Sequence, residues 1–161
     1  MVNQRTEFAS IFDEANHAWD AGDVRRAFVL FQAAAKAGEK DAFNSVGYFF
    51  DHGIGVKKNS ATAYAWYRRA AVRGDLAGFL NLGTWFRDAG NLRRSKFWFE
   101  KAYAQGDGSA AYELGKLFAS QHSSISIQRA RQYLSTAVRS KFISEDEREE
   151  AKAMLSTLQG A

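Results

Sequence analysis

A recurring spacing of small and large side chains is the feature that most constrains how this chain folds. A small residue, a large residue four positions later and a small residue three positions after that occur together in four places. The four triplets are Ala27, Phe31 and Ala34; Ala63, Tyr67 and Ala70; Ser95, Phe99 and Ala102; and Ala130, Leu134 and Ala137. Steps of three and four residues place side chains on one face of a helix, so each triplet predicts one helix of a repeated unit.

A second set of helical stripes, each containing a glycine, alternates with these triplets. The stripes are Phe43, Val46, Gly47 and Phe50; Phe79, Leu82, Gly83 and Phe86; and Ala111, Leu114, Gly115 and Phe118. Because glycine has no side chain, we expect each of these glycines to let its helix approach a partner helix closely. The sequence therefore predicts paired helices stacked in series.

The predicted fold is an all-α, right-handed α-solenoid of about four helix-turn-helix repeats plus a C-terminal capping helix. A single domain, residues 1–161, is expected to contain repeats at approximately 7–38, 41–74, 76–106 and 109–141. The first helix is expected from Thr6 or Glu7 to Ala21, Asp75 is expected to cap the third repeat, and residues 121–126 read as a polar turn. The capping helix is predicted at 144–159, because Ser144 and Glu147 spell a capping box ahead of an apolar stripe that would cover the last repeat.

A family resemblance follows from one of these segments. The run AYAWYRRAAVRG, from Ala63 to Gly74, resembles the signature of Sel1-like repeats, and a glycine-rich turn with Gly53 and Gly55 precedes it. The flanking units have shorter turns, at 21–23 and 89–91, and are similar to tetratricopeptide repeats. The resemblance implies a solenoid in which first helices line a concave groove, second helices form the convex back, and the groove binds other proteins.

The residue inventory supports neither catalysis nor a cofactor. There is no cysteine, and the three histidines, His17, His52 and His122, stand at unrelated repeat positions without metal-ligand spacing. His52 follows Asp51 directly, but adjacent helical residues point about 100 degrees apart and do not form an orienting dyad. The GIG run is not followed by a GK[ST] sequence, so it reads as a turn. We therefore expect a protein that is not an enzyme and carries no metal.

Composition indicates a packed domain without a membrane span. Hydrophobic residues make up 46% of the chain, and no run approaches the roughly 20 apolar residues that cross a bilayer. The first residues lack a basic segment followed by an apolar one. As written, the chain is expected in the cytoplasm, or in the periplasm or outside the cell if a leader has been removed.

The first and second helices of the predicted repeats carry opposite charges. Sixteen basic residues and only two acids, Asp23 and Glu100, lie in the second helices and their leading turns. The basic residues are Arg25, Arg26, Lys36, Lys57, Lys58, Arg68, Arg69, Arg73, Arg93, Arg94, Lys96, Lys101, Arg129, Arg131, Arg139 and Lys141. The first helices hold the opposite balance, so the resemblance implies an acidic groove and a basic back. The basic side chains of that back have two possible roles. They either cover the apolar flanks of Trp66 and Trp98 and keep the protein soluble, or they contact an anionic partner.

The candidate site is the exposed side of the first helices, where polar and aromatic residues alternate. It comprises Phe12, Asn16, Trp19, Asp20, Asn44, Tyr48, Asp51, His52, Thr84, Arg87, Asp88, Tyr112 and Lys116. Such a surface suits a peptide or helix bound through hydrogen bonds and aromatic anchors. Phe12 and Trp19 have a competing interpretation as core residues of the first unit.

The leading hypothesis is a non-enzymatic protein-protein interaction module, an adaptor, assembly factor or regulator. Its groove would bind a protein or peptide segment that is neutral or basic, because Asp20, Asp51 and Asp88 would repel a carboxylate. The alternative is a module that contacts nucleic acid or an anionic membrane surface through its basic back. Aromatic residues available for base stacking are missing from that back, which disfavours nucleic acid. Self-association into a homo-oligomer, through Phe8 and Phe12 of the opening unit, is a further expectation.

Overall fold

The computed structural model of this protein describes residues 10–159, and within that range the secondary structure is α-helical without a strand. The predicted all-α class is confirmed. The chain divides into two compact units, Met1–Gly78 and Phe79–Ala161, and each is described by itself. Thr6, Glu7 and Phe8, where the first helix was expected to begin, lie outside the described residues, and the single-domain organisation stays a prediction.

The first unit contains two helix-turn-helix pairs. These are α1 (Ile11–Asp20) with α2 (Val24–Ala37), and α3 (Lys40–His52) with α4 (Ser60–Val72). The helices of each pair pack on one another, and α2 also packs on α3. The core between them is built mainly from the predicted small and large positions, including the fully or almost fully buried Ala27, Phe31, Ala34 and Val46. Phe49, which the predicted stripe did not include, is also buried, whereas the predicted Phe50 is only partly buried.

The boundary between the units falls within α5 (Leu76–Asp88). The second unit continues through α6 (Leu92–Tyr103), α7 (Gly108–Ala119), α8 (Ser124–Arg139) and α9 (Glu145–Gln159). Here α6 packs on α7, α7 on α8, and α8 on α9. Ala151 of α9 is buried, and Met154, Leu155 and Leu158 pack against a cluster that includes Tyr112 and Leu134. The apolar stripe of the last helix therefore covers the end of the helix pair before it, as the sequence predicts.

Helix ends follow local hydrogen-bonding chemistry. Ser10 and Asp13 form a reciprocal capping box at α1, and Ser144 and Glu147 form the predicted one at α9. Asp75 caps α5 as predicted, since its Oδ1 accepts from the amide of Ala77 at 2.9 Å.

Two observed boundaries differ by a few residues from the approximate ones that the sequence predicts. The fourth repeat begins at Gly108 rather than Ser109, because Asp107 serves as its N-cap. The polar turn is shorter than 121–126, because Ser123 accepts a hydrogen bond from the amide of Ser126 and starts α8 at Ser124.

The glycines of the first-helix stripes meet large side chains of the following helix. A Cβ atom built on Gly47 would lie 2.6 Å from the Tyr67 ring, and one built on Gly83 would lie 2.5 Å from the Phe99 ring. A Cβ atom on Gly115 would lie 2.6 Å from Leu134. All of these partners are the large central residues of the triplets, and they are buried. Each glycine therefore makes room for the large residue of its partner helix, as the sequence predicts.

We expect Gly83→Ala to lower the free energy of unfolding by about 1–2 kcal/mol, because overpacking outweighs the better helix propensity of alanine. Chemical denaturation of both proteins measures the difference. Phe99→Leu should relieve the crowding, so the double variant should lose less than the sum of the single variants. Gly47→Ala combined with Phe99→Leu is the matched control and should be additive, because its added methyl meets Tyr67. Additivity in both pairs would show that Phe99 does not restrict position 83.

The N-cap of α7 is a buried carboxylate. Asp107 is 8% exposed, and its Oδ1 accepts from the amide of Ala110 at 2.6 Å. Burial raises the pKa of Asp107, and the charge of Glu147 raises it further, while the backbone amides of Ala110 and Ser109 act in the opposite direction. The folded protein therefore holds this proton to higher pH than the unfolded chain. As a result, the contribution of Asp107 to stability declines as pH rises from its ordinary pKa through its folded-state pKa.

The buried charge of Asp107 is unfavourable while its cap hydrogen bond is favourable, so two substitutions of this residue should have different effects. Asp107→Ala should cost about 1 kcal/mol at neutral pH, because the cap is lost. Asp107→Asn keeps an acceptor without the buried charge, so it should match or exceed the wild type at neutral pH and lose that advantage below the ordinary carboxyl pKa. Thermal unfolding across the acidic range measures both effects. An Asn variant that is as weak as the Ala variant at neutral pH would show that the charge itself is needed.

Candidate functional site

A shallow pocket lies between α1 and α3 in the first unit, where several of the predicted site residues meet. Its volume is about 220 Å³. It is lined by Asn16, Trp19, Phe31, Asn44, Ser45, Tyr48 and Phe49. Asn16, Trp19, Asn44 and Tyr48 were expected from the spacing along the first helices. We call this pocket, together with Asp20, Asp51 and His52 farther along the same two helices, the α1–α3 surface.

Two partly exposed rings give this surface its apolar part. Trp19 is 37% exposed and Tyr48 is 38% exposed, and their ring centroids lie 6.4 Å apart in an edge-to-face arrangement. Trp19 also packs edge-to-face on the buried Phe49, with centroids 5.3 Å apart. The core thus fixes the position of the tryptophan while part of its ring contacts solvent. Both interpretations of Trp19, core residue and surface residue, describe part of its environment.

Phe12 contributes mainly to the core. Its ring is half-buried and lies edge-on to Phe31, with centroids 5.5 Å apart. Its backbone amide donates to the carboxylate of Glu39 at 3.3 Å, which ties the start of α1 to the loop before α3. The lining of the pocket does not include Phe12.

The end of α3 places two further predicted residues beside the pocket. The buried hydroxyl of Tyr67 donates to Asp51 at 3.3 Å, and burial followed by the charge of Asp51 raises the pKa of Tyr67. The tyrosine therefore stays a neutral donor that orients the carboxylate. The His52 ring stacks on Tyr48 with centroids 4.0 Å apart, and its Nδ1 lies 3.1 Å from the Tyr48 carbonyl oxygen. His52 supports the exposed tyrosine.

Acidic side chains of this surface lack basic partners. Within residues 10–78 the structure contains no ion pair, so the carboxylates of Asp20 on α1 and Asp51 on α3 are not neutralised by a neighbouring lysine or arginine. Carboxylates without counter-charges produce a negative potential that attracts cations.

The predicted site residues in the second unit have a different environment. Glu113 accepts from Arg87 at 2.6 Å and from Lys116 at 3.1 Å, and Arg87 also pairs with Asp88 at 3.0 Å. Burial lowers the pKa of Arg87, but the hydrogen bond and the charge of Glu113 raise it and prevail. Thr84 is half-buried. The charges on this face are therefore largely satisfied within the protein.

Tyr112 is covered by the last helix. It is 4% exposed, and its hydroxyl donates to Glu150 of α9. Burial, and then this hydrogen bond, raise the pKa of Tyr112. The side chain that the sequence suggested as a groove residue is thus engaged in holding α9.

Sequence reasoning missed three residues that line the pocket. Phe31 was read as a core position only and Phe49 was not singled out, and both of these buried residues line the pocket. Ser45 was not considered, although it precedes Tyr48 by three residues and therefore shares its helix face. That spacing was the signal available for Ser45.

Other kinds of site are not evident in the part of the chain that the structure describes. Over residues 10–159, no cluster of three or more His, Asp and Glu side chains could hold a metal ion. None of the helices in that range is both long and apolar enough to cross a membrane.

Stacked helix-turn-helix pairs with an exposed aromatic and acidic surface define a helical-repeat protein. The family model of the Sel1 repeat matches residues 21–39, 43–75, 80–107 and 108–141. The chain therefore belongs to the Sel1 repeat family, whose members generally mediate protein-protein interactions.

Solved structures show the same fold. The Sel1 repeat protein from Oxalobacter formigenes is similar with a TM-score of 0.77 at 22% identity, over 93% of this chain and 59% of that one. The protective antigen c5321 of uropathogenic Escherichia coli, described as displaying an SLR fold, is similar with a TM-score of 0.74 at 23% identity, over 92% of this chain and 33% of that one. The predicted solenoid class is confirmed by these bacterial structures.

A curated relative matches part of the chain. The ERAD-associated E3 ubiquitin-protein ligase component HRD3B of Arabidopsis thaliana is 28% identical over 98 residues, which is 60% of this chain and 16% of the plant protein. The chain thus spans less than a fifth of that relative.

The paired charges of the second unit lead to a stability prediction. Arg87→Met should cost about 1–2 kcal/mol, because the largely buried Glu113 carboxylate keeps only Lys116 as a partner. Asp88→Asn removes a more exposed partner of the same arginine and should cost less than about 0.5 kcal/mol. Chemical denaturation at moderate salt measures both. Equal losses would show that exposure does not determine the strength of these pairs.

Proposed function

We propose that this protein is a non-catalytic interaction module that binds a protein segment on the α1–α3 surface. The observation that carries the proposal is the combination of two partly exposed rings over a pocket with carboxylates that have no basic partner. Binding energy at protein interfaces concentrates on such aromatic residues in pockets, with charged groups around them. Membership of the Sel1 repeat family supports the general class of function.

The chemistry of the surface indicates the chemistry of the segment. An apolar side chain would enter the pocket of about 220 Å³ and pack against the exposed parts of Trp19 and Tyr48. Lysine or arginine side chains would lie near Asp20 and Asp51, whose charges are not neutralised. The amide of Asn16 offers both a donor and an acceptor for a peptide backbone. The segment is therefore neutral or basic and carries an aliphatic or aromatic residue.

The same charges disfavour an acidic ligand on this surface. A carboxylate close to Asp20 or Asp51 would experience repulsion that no lysine or arginine on α1 or α3 relieves by an ion pair. In the second unit, Glu113 is already paired with Arg87 and Lys116, so it offers less attraction for an incoming cation. The first unit is accordingly the principal binding region in this proposal.

An adaptor or assembly role is the form of this function that we favour. HRD3B is itself a component of a ubiquitin-ligase assembly, and its matching segment covers 60% of this chain. A module that binds a segment of another protein without catalysing a reaction is consistent with such a role in an assembly.

The proposal is tested by selecting ligands from a displayed library of random peptides on the intact protein. Selected peptides should be enriched in lysine or arginine together with an aliphatic or aromatic residue. Tyr48→Ala should lower the affinity for a selected peptide by about tenfold or more, which is the loss expected for a central aromatic contact. Asp51→Asn should weaken it less, and this loss should diminish at high salt. Calorimetric titration gives the affinities.

Two variants serve as controls. Phe97→Ala removes a comparably exposed ring on α6, and Asp146→Asn removes an exposed acid on α9. Both should leave the affinity unchanged. If the controls weaken binding as much as Tyr48→Ala does, or if the selected peptides are predominantly acidic, the α1–α3 surface is not the binding site.

A further inference from the structure

A basic cleft runs along α4, away from the residues of the α1–α3 surface. It has a volume of about 340 Å³ and is lined by Tyr64, Ala65, Arg68, Arg69, Val72 and Arg73. These residues form two rows at four-residue spacing, one through positions 64, 68 and 72 and the other through positions 65, 69 and 73. Rows of this kind form ridges with a groove between them. We call this groove the α4 cleft.

The cleft combines positive charge with an exposed aliphatic side chain. Val72 is 76% exposed, the highest value among the exposed large hydrophobic side chains of residues 10–159. Arg68, Arg69 and Arg73 surround it, and α4 itself contains no acid. None of these arginines takes part in an ion pair with a residue of the first unit within the described range. Their charges therefore remain available to an anionic partner.

Two of the arginines are held in place before any ligand binds. The guanidinium of Arg69 lies 4.6 Å from the centroid of the Trp66 ring, and that of Arg73 lies 4.0 Å from the Phe43 centroid. Arg73 Nη1 also donates to the carbonyl oxygen of Arg69 at 3.1 Å. Stacking occupies the face of a guanidinium and leaves donors on its edge that match a carboxylate. A preordered arginine loses less conformational entropy on binding.

We propose that the α4 cleft docks an acidic protein segment that carries an aliphatic side chain. Carboxylates of the segment pair with Arg68, Arg69 and Arg73, and its aliphatic side chain packs on Val72. This surface and the α1–α3 surface have opposite charge, so they select different segments, and the two proposals can fail separately.

Features of the cleft favour a protein over nucleic acid. Stacking of bases requires open aromatic faces, but Trp66 is half-buried and Arg69 occupies one of its faces. Aliphatic Val72 at the centre of the arginines has no role in binding phosphates, whereas it matches the side chain of an acidic, partly apolar segment.

The test uses a labelled synthetic peptide that repeats Asp-Glu-Leu, with a repeat of Asp-Glu-Ser as its matched partner. Fluorescence anisotropy with the intact protein should show that the leucine peptide binds about tenfold or more tightly than the serine peptide. Raising the salt concentration should weaken both. Single-stranded oligothymidylate and phosphatidylserine vesicles complete the set of probes. If the serine peptide, the DNA or the vesicles bind as tightly as the leucine peptide, the proposal is overturned.

Variants at exposed positions locate the binding. Arg68→Gln and Val72→Ser should each lower the affinity for the leucine peptide by about fivefold or more. The first variant removes a pairing with a carboxylate, and the second removes the apolar contact. Circular dichroism checks that these exposed substitutions preserve the helices. Arg25→Gln removes the same charge from an exposed position on α2 and should have little effect. An equal loss in Arg25→Gln would show general charge attraction and would overturn the assignment to the α4 cleft, as would unchanged binding in Val72→Ser. Tyr48→Ala should not affect this peptide.

Discussion

Close approach of paired helices is the constraint on which the rest of this structure depends. A residue with a Cβ atom at position 47, 83 or 115 would collide with the large side chain of the partner helix, at 2.5–2.6 Å. Tyr67, Phe99 and Leu134 can therefore be buried only because glycine stands opposite them. Burial of such a large side chain contributes about 1.5–3 kcal/mol. The sequence pattern recurs because each of these helix pairs needs this contact between a glycine and a large side chain.

The helix pairing also determines which side chains remain for function. In the first unit, the buried faces of α1 and α3 are occupied by Ala15, Phe43, Val46 and Phe49, which leaves Asn16, Trp19 and Tyr48 at the surface. The other side of α4 carries arginines and Val72. Two surfaces of opposite charge thus arise from one small helical unit. Each is rigidified by aromatic contacts with the core, Trp19 by Phe49 and Arg73 by Phe43.

Much of the fold was predictable from sequence because its determinants are local. The spacing of Ala63, Tyr67 and Ala70 depends on the geometry of one helix only. The capping box of Ser144 and Glu147 is formed within four consecutive residues. For this reason α2, Val24–Ala37, ends just inside the expected limit of the first repeat at residue 38. Boundaries shifted where a neighbouring side chain served as the cap, as Asp107 and Ser123 do.

The candidate site was predictable only in part because its environment depends on distant residues. Spacing identified Asn16, Trp19, Asn44 and Tyr48 as sharing a side of their helices, and the pocket contains all of them. Spacing does not show that Glu150, 38 residues away, accepts from Tyr112, or that Arg87 reaches Glu113 across 26 residues. Such contacts require the folded chain, and they distinguish the satisfied charges of the second unit from the unpaired acids of the first.

Binding on the α1–α3 surface can be located from the chemical shifts of backbone amides, the indole and side-chain amides while a library-selected peptide is titrated into isotope-labelled protein. We expect the largest changes at the Trp19 indole, the Asn16 side-chain amide and the backbone of α3 around Tyr48, while α6 and α9 change little. Changes concentrated in α6–α9, with the Trp19 indole unmoved, would contradict binding on the α1–α3 surface.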